Sequence, residues 1–180
     1  MMVADARVYR YAATARSIPA VAISASNEAI PYTEIKNQSN PATWAAEAGV
    51  KVVETLIKNT PEGGDITPLG YGVTVNIPEL DGKHKNKLKY VQTRMTGQAE
   101  VDEAVMEDPD KVVFTWANIR PLAAGINACI NGDCSLMDET YAVGQGDISI
   151  SVYTVDYTAP TGPNTKSVMS KVSSLTGYSV

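Results

Sequence analysis

Residues 72–95 read Gly72-Val73-Thr74-Val75-Asn76-Ile77-Pro78-Glu79-Leu80-Asp81-Gly82-Lys83-His84-Lys85-Asn86-Lys87-Leu88-Lys89-Tyr90, followed by Val91-Gln92-Thr93-Arg94-Met95. The first arm alternates apolar and polar residues, Asp81-Gly82 is a strong two-residue type I′ turn signal, and the second arm returns. This predicts an antiparallel hairpin with Val73 opposite Tyr90, Val75 opposite Leu88 and Ile77 opposite Asn86 on a mainly apolar face. The other face sets Thr74 against Lys89, Asn76 against Lys87 and Pro78 against Lys85. A one-residue slip would carry lysines into the apolar side, so the register is specified. Pro78 cannot donate to a ladder and implies an edge or a bulge near the turn.

The surroundings agree with a mostly β chain. Among 180 residues there are 19 Val, 12 Ile and 16 Thr against 7 Leu, and β-branched side chains favour pleated surfaces over helices. Residues 17–25 and 111–117 read as strands, the second with Val112, Phe114 and Trp116 on one face. Residues 147–157 give the clearest strand, with Ile148, Ile150 and Val152 pointing one way and Ser149, Ser151, Tyr153 and Val155 the other. The best helix runs over 41–59, with Asn40 as N-cap, Pro41 at its first position and Ala45, Ala48, Val52 and Leu56 along one face. Glu47 precedes Lys51, and Glu54 precedes Lys58, by four residues, the favourable order for helical ion pairs. Val168, Val172 and Leu175 are spaced for a short C-terminal helix. The acid-rich stretch 99–110 fits a short helix or an ordered loop. The expected fold is α+β, mainly β: an antiparallel sheet with one helix at about 41–59 and a short helix at the C-terminal end, in a single domain over residues 1–180.

Several kinds of chemistry find no support. The one histidine and two cysteines cannot build a four-ligand His/Cys zinc site, and no metal or cofactor is expected. His84 lies between two lysines that would lower its pKa, which makes it a poor base. Gly70-x-Gly72 and Gly144-x-Gly146 lack the rest of any phosphate or dinucleotide fingerprint. No apolar run reaches the ~20 residues of a membrane span. Residues 1–16 show no apolar signal core, so synthesis in a reducing cytoplasm is expected.

Two features remain. Lys83, Lys85, Lys87 and Lys89 recur at every second residue, which in a strand puts four ammonium groups on one face. In a chain of formal charge −5, such a face, with Thr74 and Asn76 beside it, suits phosphate oxygens; it equally suits a soluble, blunted sheet edge. The second feature is Cys129-Ile130-Asn131-Gly132-Asp133-Cys134. A disulfide across so small a loop gains little chain entropy, so Cys129 and Cys134 read either as staples between subunits or as free thiols.

The strand 73–76, the lysine-bearing segment 85–90, the cysteine loop and the strand 147–157 together resemble the coat proteins of single-stranded RNA phages. The resemblance covers patches of residues 71–157. It implies a virion capsid subunit that dimerises, closes into a shell and packages RNA on an inward sheet face, and no enzyme. RNA contacts carried over from it fall on Thr74, Asn76, Lys85, Lys87, Lys89 and Tyr153, with Lys83 completing the basic row. The C-terminal part departs from that family, which ends in two long helices, and the helix at 41–59 stands where the family has a hairpin. Two other readings stay open: another virion part, such as a tail-tube or decoration protein, and a small cytosolic ligand-binding or enzymatic β domain.

Overall fold

The computed structural model describes residues 13, 15–16, 18–25, 39–80, 88–95, 102–108, 111–116, 132–155 and 160–177. Its main sheet has five strands: β1 (Val21–Ala25), β2 (Tyr71–Ile77), β3 (Tyr90–Arg94), β6 (Met137–Asp138) and β7 (Ile148–Thr154). Their spatial order is β1-β2-β7-β3-β6. Strands β4 (Asp102–Asp108) and β5 (Lys111–Trp116) form a separate antiparallel pair, with an irregularity between Met106 and Asp108. The helices are α1 (Ser39–Lys58), α2 (Glu139–Gly144), α3 (Pro163–Lys171) and α4 (Ser173–Thr176). The fold is α+β, as expected, but the sheet is mixed. β2 runs antiparallel to β7, whereas β1–β2, β7–β3 and β3–β6 are parallel.

The predicted hairpin does not form. β2 and β3 do run in opposite directions, but β7 lies between them and pairs with both. Val73 faces Val152, Thr74 faces Ser151, Val75 faces Ile150 and Asn76 faces Ser149; on the other side Tyr90 faces Ile148 and Thr93 faces Ser151. The physical reason lies in the alternation of β7. Ile148, Ile150 and Val152 extend the apolar face of β2, while Ser149 and Ser151 supply hydroxyls that match Asn76 and Thr93 on the opposite face. The lysine-rich arm offered no such complement to Thr74 and Asn76. The Asp81-Gly82 turn signal lies outside the described residues.

The apolar face carries the core. Ala45, Ala48, Val52 and Leu56 of α1 press on Val73, Val75, Ile77, Ile148, Ile150 and Val152, and Val168 and Met169 of α3, with Val172 beyond it, close the remaining side. The stripe predicted along the helix is thus its buried face, and the helix starts at Ser39, two residues before the expected position. The C-terminal helix starts with Pro163, with Gly162 at its N-cap. Lys171 fixes this end. Its ammonium donates to the backbone oxygens of Asp65 and Ile66 (2.9 Å for the latter), and its own carbonyl accepts from Asn59 Nδ2 at 2.6 Å. Burial lowers its pKa, with Asp65 acting in the opposite direction. The acid-rich stretch is a strand, β4, rather than a helix or loop, because β5 beside it satisfies its backbone groups in a ladder.

Gly72 occupies the one position of β2 where a side chain would collide: a Cβ there would lie 2.2 Å from Cζ and Oη of Tyr153, which is fully buried. Gly72→Ala is therefore expected to lower stability by about 1–3 kcal/mol, read as a fall in the urea midpoint at constant slope. An unchanged midpoint would show that Tyr153 does not rest on the β2 backbone.

Candidate functional site: the polar face of the sheet

The sheet face opposite the core is polar yet buried. Ser149 and Ser151 are completely inaccessible, Thr74, Thr93 and Asp138 are buried, and Glu139 is only 8% exposed. Helix α2 covers this face, and its first residue, Glu139, reaches down onto it. Asn76 Nδ2 donates to Glu139 Oε2 at 3.0 Å, and Ser151 Oγ donates to the same oxygen at 3.2 Å. Ser24 Oγ donates to Asn76 Oδ1 at 2.6 Å. Thr93 Oγ1 lies 2.6 Å from Ser151 Oγ and 2.8 Å from Ser149 Oγ.

With Ser151 as the donor to the Glu139 carboxylate, the connectivity sets the direction of the remaining protons. A hydroxyl has one proton to give. Ser151 gives its proton to the carboxylate, so it accepts from Thr93. Thr93 has then spent its own proton and accepts from Ser149. The chain runs Ser149 to Thr93 to Ser151 to Glu139, and a second arm runs Ser24 to Asn76 to Glu139. One carboxylate thereby orients side chains from β1, β2, β7 and β3.

The start of α2 is held by a second set of groups. Asp138 Oδ1 caps the helix, accepting from the backbone N–H of Thr140 (3.0 Å) and of Tyr141 (3.4 Å). Arg94, at the end of β3, brings Nη2 to 4.0 Å from Asp138 Oδ2 and donates from Nη1 to the Leu136 carbonyl. Both ion-pair partners are nearly inaccessible, so loss of either would strand the other away from water. The loop before β6 turns at Asp133, whose Oδ1 accepts from Ser135 Oγ (2.7 Å) and Ser135 N (2.9 Å). Those two bonds hold the Asp133 carboxyl below its ordinary value of 3.8.

The residues singled out from the sequence fall in different places. Thr74 and Asn76 share the polar face as expected, but they meet β7 and β1, not lysines. Tyr153 lies on the same face, fully buried over Gly72, so it offers no ring to a base. Lys83, His84, Lys85 and Lys87 lie outside the described residues. Lys89 stands just before β3, exposed, with Nζ 3.0 Å from Asp147 Oδ2. Cys134 is disulfide-bonded; Cys129 lies outside the described residues. Sequence reading missed Ser24, Thr93, Asp138, Glu139 and Arg94. The signal available was the Asp138-Glu139 pair opening a short helix just before the serine-bearing strand.

This arrangement orders side chains; it does not present a reactive group. Ser151 and Glu139 resemble a nucleophile beside a base, but Ser151 is sealed from solvent. Among the described residues no group of three or more His, Cys, Asp or Glu is placed to hold a metal ion, and no helix is long and apolar enough to cross a membrane.

Comparison with known proteins changes the functional reading. No family model matches this chain. The chain is 32% identical over 160 residues to an acid phosphatase of Yarrowia lipolytica, an alignment that takes in 83% of this chain and 43% of that protein. The chain therefore spans less than half the length of that relative. A solved structure, the SurE protein of Aquifex aeolicus, superposes on 92% of this chain and 55% of its own length with 18% identity and a TM-score of 0.42, too low to establish a common fold. The acid phosphatase overturns the coat-protein resemblance. A capsid or virion subunit that packages RNA, closes into a shell and has no enzymatic role does not stand beside a cellular relative named for an enzyme. The tail-tube and decoration readings fall with it, and so does localisation to a virion. The enzymatic alternative fits better.

Two outcomes test the site. Glu139→Leu removes the acceptor of both arms and is expected to cost more stability than Glu139→Gln, by about 1–3 kcal/mol, with Asn76→Ala adding little on top of Glu139→Leu in a double-mutant cycle. Equal losses for Leu and Gln would deny the carboxylate its role as terminal acceptor. The second outcome concerns pH. A depressed carboxyl pKa contributes stability above the unfolded value, and the contribution disappears as pH falls through the folded value. Thermal melts of Asp133→Asn should therefore lie below those of the native chain near neutral pH and converge with them as the pH falls through the lowered value of this carboxyl. A gap that persists in acid would contradict this.

Proposed function

We propose that this chain takes part in the hydrolysis of phosphate monoesters, as the sheet-bearing portion of an acid-phosphatase-type enzyme. The observation that carries the reading is the 32% identity over 160 residues to the Yarrowia lipolytica acid phosphatase. The geometry favours a scaffolding share in that activity. The polar groups of the buried sheet face are turned inward onto Glu139, and Ser151, the hydroxyl beside that carboxylate, is sealed from solvent. Acids and hydroxyls ordered in this way hold β1, β2, β7 and β3 in fixed register, which is what a catalytic constellation mounted on strand ends requires.

The test is release of phosphate from p-nitrophenyl phosphate at acidic pH. It is measured with the purified chain alone and with the chain mixed with the separately made polypeptide comprising the rest of the Yarrowia enzyme. Release above the no-protein and rest-alone controls in either case is the expected result. Absence of release in both would remove the phosphatase reading.

A further inference from the structure

Strand β1 ends the five-stranded order on one side. Ala20 O accepts from Val73 N at 3.0 Å. Backbone groups alternate sides along a strand, so Ala22 and Ser24 also turn their amides toward β2, and Val21, Ile23 and Ala25 turn theirs outward. The sequence Val21-Ala22-Ile23-Ser24-Ala25 carries no charge and no proline, two of the devices that blunt an edge. β1 is also parallel to its neighbour, and parallel strands are normally covered on both faces.

The adjoining flank of α1 is apolar as well. A Cβ on Gly49 would lie 2.9 Å from two carbons of Ile23, so this turn of the helix rests on β1. Lys51 Nζ, by contrast, sits 5.3 Å from the centroid of the Tyr90 ring, above β3. These two contacts fix the rotation of the helix. At 3.6 residues per turn, Val53, Ala46, Ile57 and Val50 follow Gly49 round the side that overhangs the edge of β1. Glu54, Glu47 and Lys58 come next in the same rotation, on the solvent side, and Lys51 stands on the opposite flank. Val50 is 51% exposed, Ile57 55% and Ile23 42%. Among the described residues no strand pairs with the outer edge of β1, and this edge and the exposed apolar helix flank form one surface.

We propose that this surface docks a further parallel strand and its covering apolar segment. The occupant is polypeptide of the kind that makes up the portion of the acid phosphatase lying outside the matched 43%. This rests on the phosphatase reading for the identity of the occupant. More than half of that relative is unaccounted for by the match, and a parallel strand added to β1 gives Val21, Ile23 and Ala25 backbone partners while burying Ile23, Val50 and Ile57.

The experiment mixes the chain with the separately made remainder of the Yarrowia acid phosphatase and follows sedimentation and amide deuterium exchange. The expected result is a 1:1 complex in which the amides of Val21, Ile23 and Ala25 exchange more slowly than in the chain alone. Val50→Lys combined with Ile57→Lys, both at exposed positions, should weaken the complex by ~tenfold or more, while Lys51→Ala on the flank above β3 leaves it unchanged. Circular dichroism reports whether each variant keeps its fold. No complex, a complex that leaves the exchange of the β1 amides unchanged, or protection of those amides by self-association of the chain alone would each overturn the proposal. A complex that releases no phosphate keeps this interface and removes the phosphatase reading; phosphate release without a complex does the reverse.

Discussion

The Glu139 carboxylate is the constraint on which the polar half of this structure depends. A sheet face made of serine, threonine and asparagine would ordinarily face water. Here it is sealed, and each buried donor then needs an acceptor, because an unmet one costs about 1–3 kcal/mol. A carboxylate offers several acceptor sites and no proton, so it can terminate two converging chains of donors at once. Ser149, Thr93 and Ser151 feed it from one side, and Ser24 and Asn76 from the other. Strand order follows from the same requirement. Only with β7 between β2 and β3 do the two serines stand between Asn76 and Thr93.

Much of the apolar half was legible in the sequence. Val73, Val75 and Ile77, the alternation of 148–153 and the stripe of Ala45, Ala48, Val52 and Leu56 all lie on the faces their spacing indicates. Periodicity reports which way a side chain points, and it did so correctly here. It does not report which strand lies alongside. Asp81-Gly82 supplied a local reason to pair β2 with β3, while the competing partner, β7, begins more than fifty residues after that turn. Sheet order was decided by non-local complementarity, hydroxyl against amide and isoleucine against valine, which no window on the chain displays.

The candidate site was less legible for a related reason. The lysine row attracted attention because its spacing is regular and its charge is concentrated. The residues that organise the described polar face are scattered, at positions 24, 76, 93, 138, 139, 149 and 151, and most are short and neutral. Their importance arises from burial, which the sequence does not state. The disulfide-bonded Cys134 belongs to the segment that leads into Asp138 and Glu139. Together with the acid phosphatase relative, these features describe a sheet built to stay rigid. Among the described residues β1 ends that sheet on one side, the side on which the proposed strand would add.

Neutron diffraction from a deuterated crystal tests the central claim most directly, because it locates the protons that set the direction of the network. The account predicts a deuteron on Ser149 Oγ aimed at Thr93, one on Thr93 Oγ1 aimed at Ser151, one on Ser151 Oγ aimed at Glu139, and none on Glu139 Oε2. A protonated Glu139, or a chain running the opposite way from Ser151 toward Ser149, would contradict it.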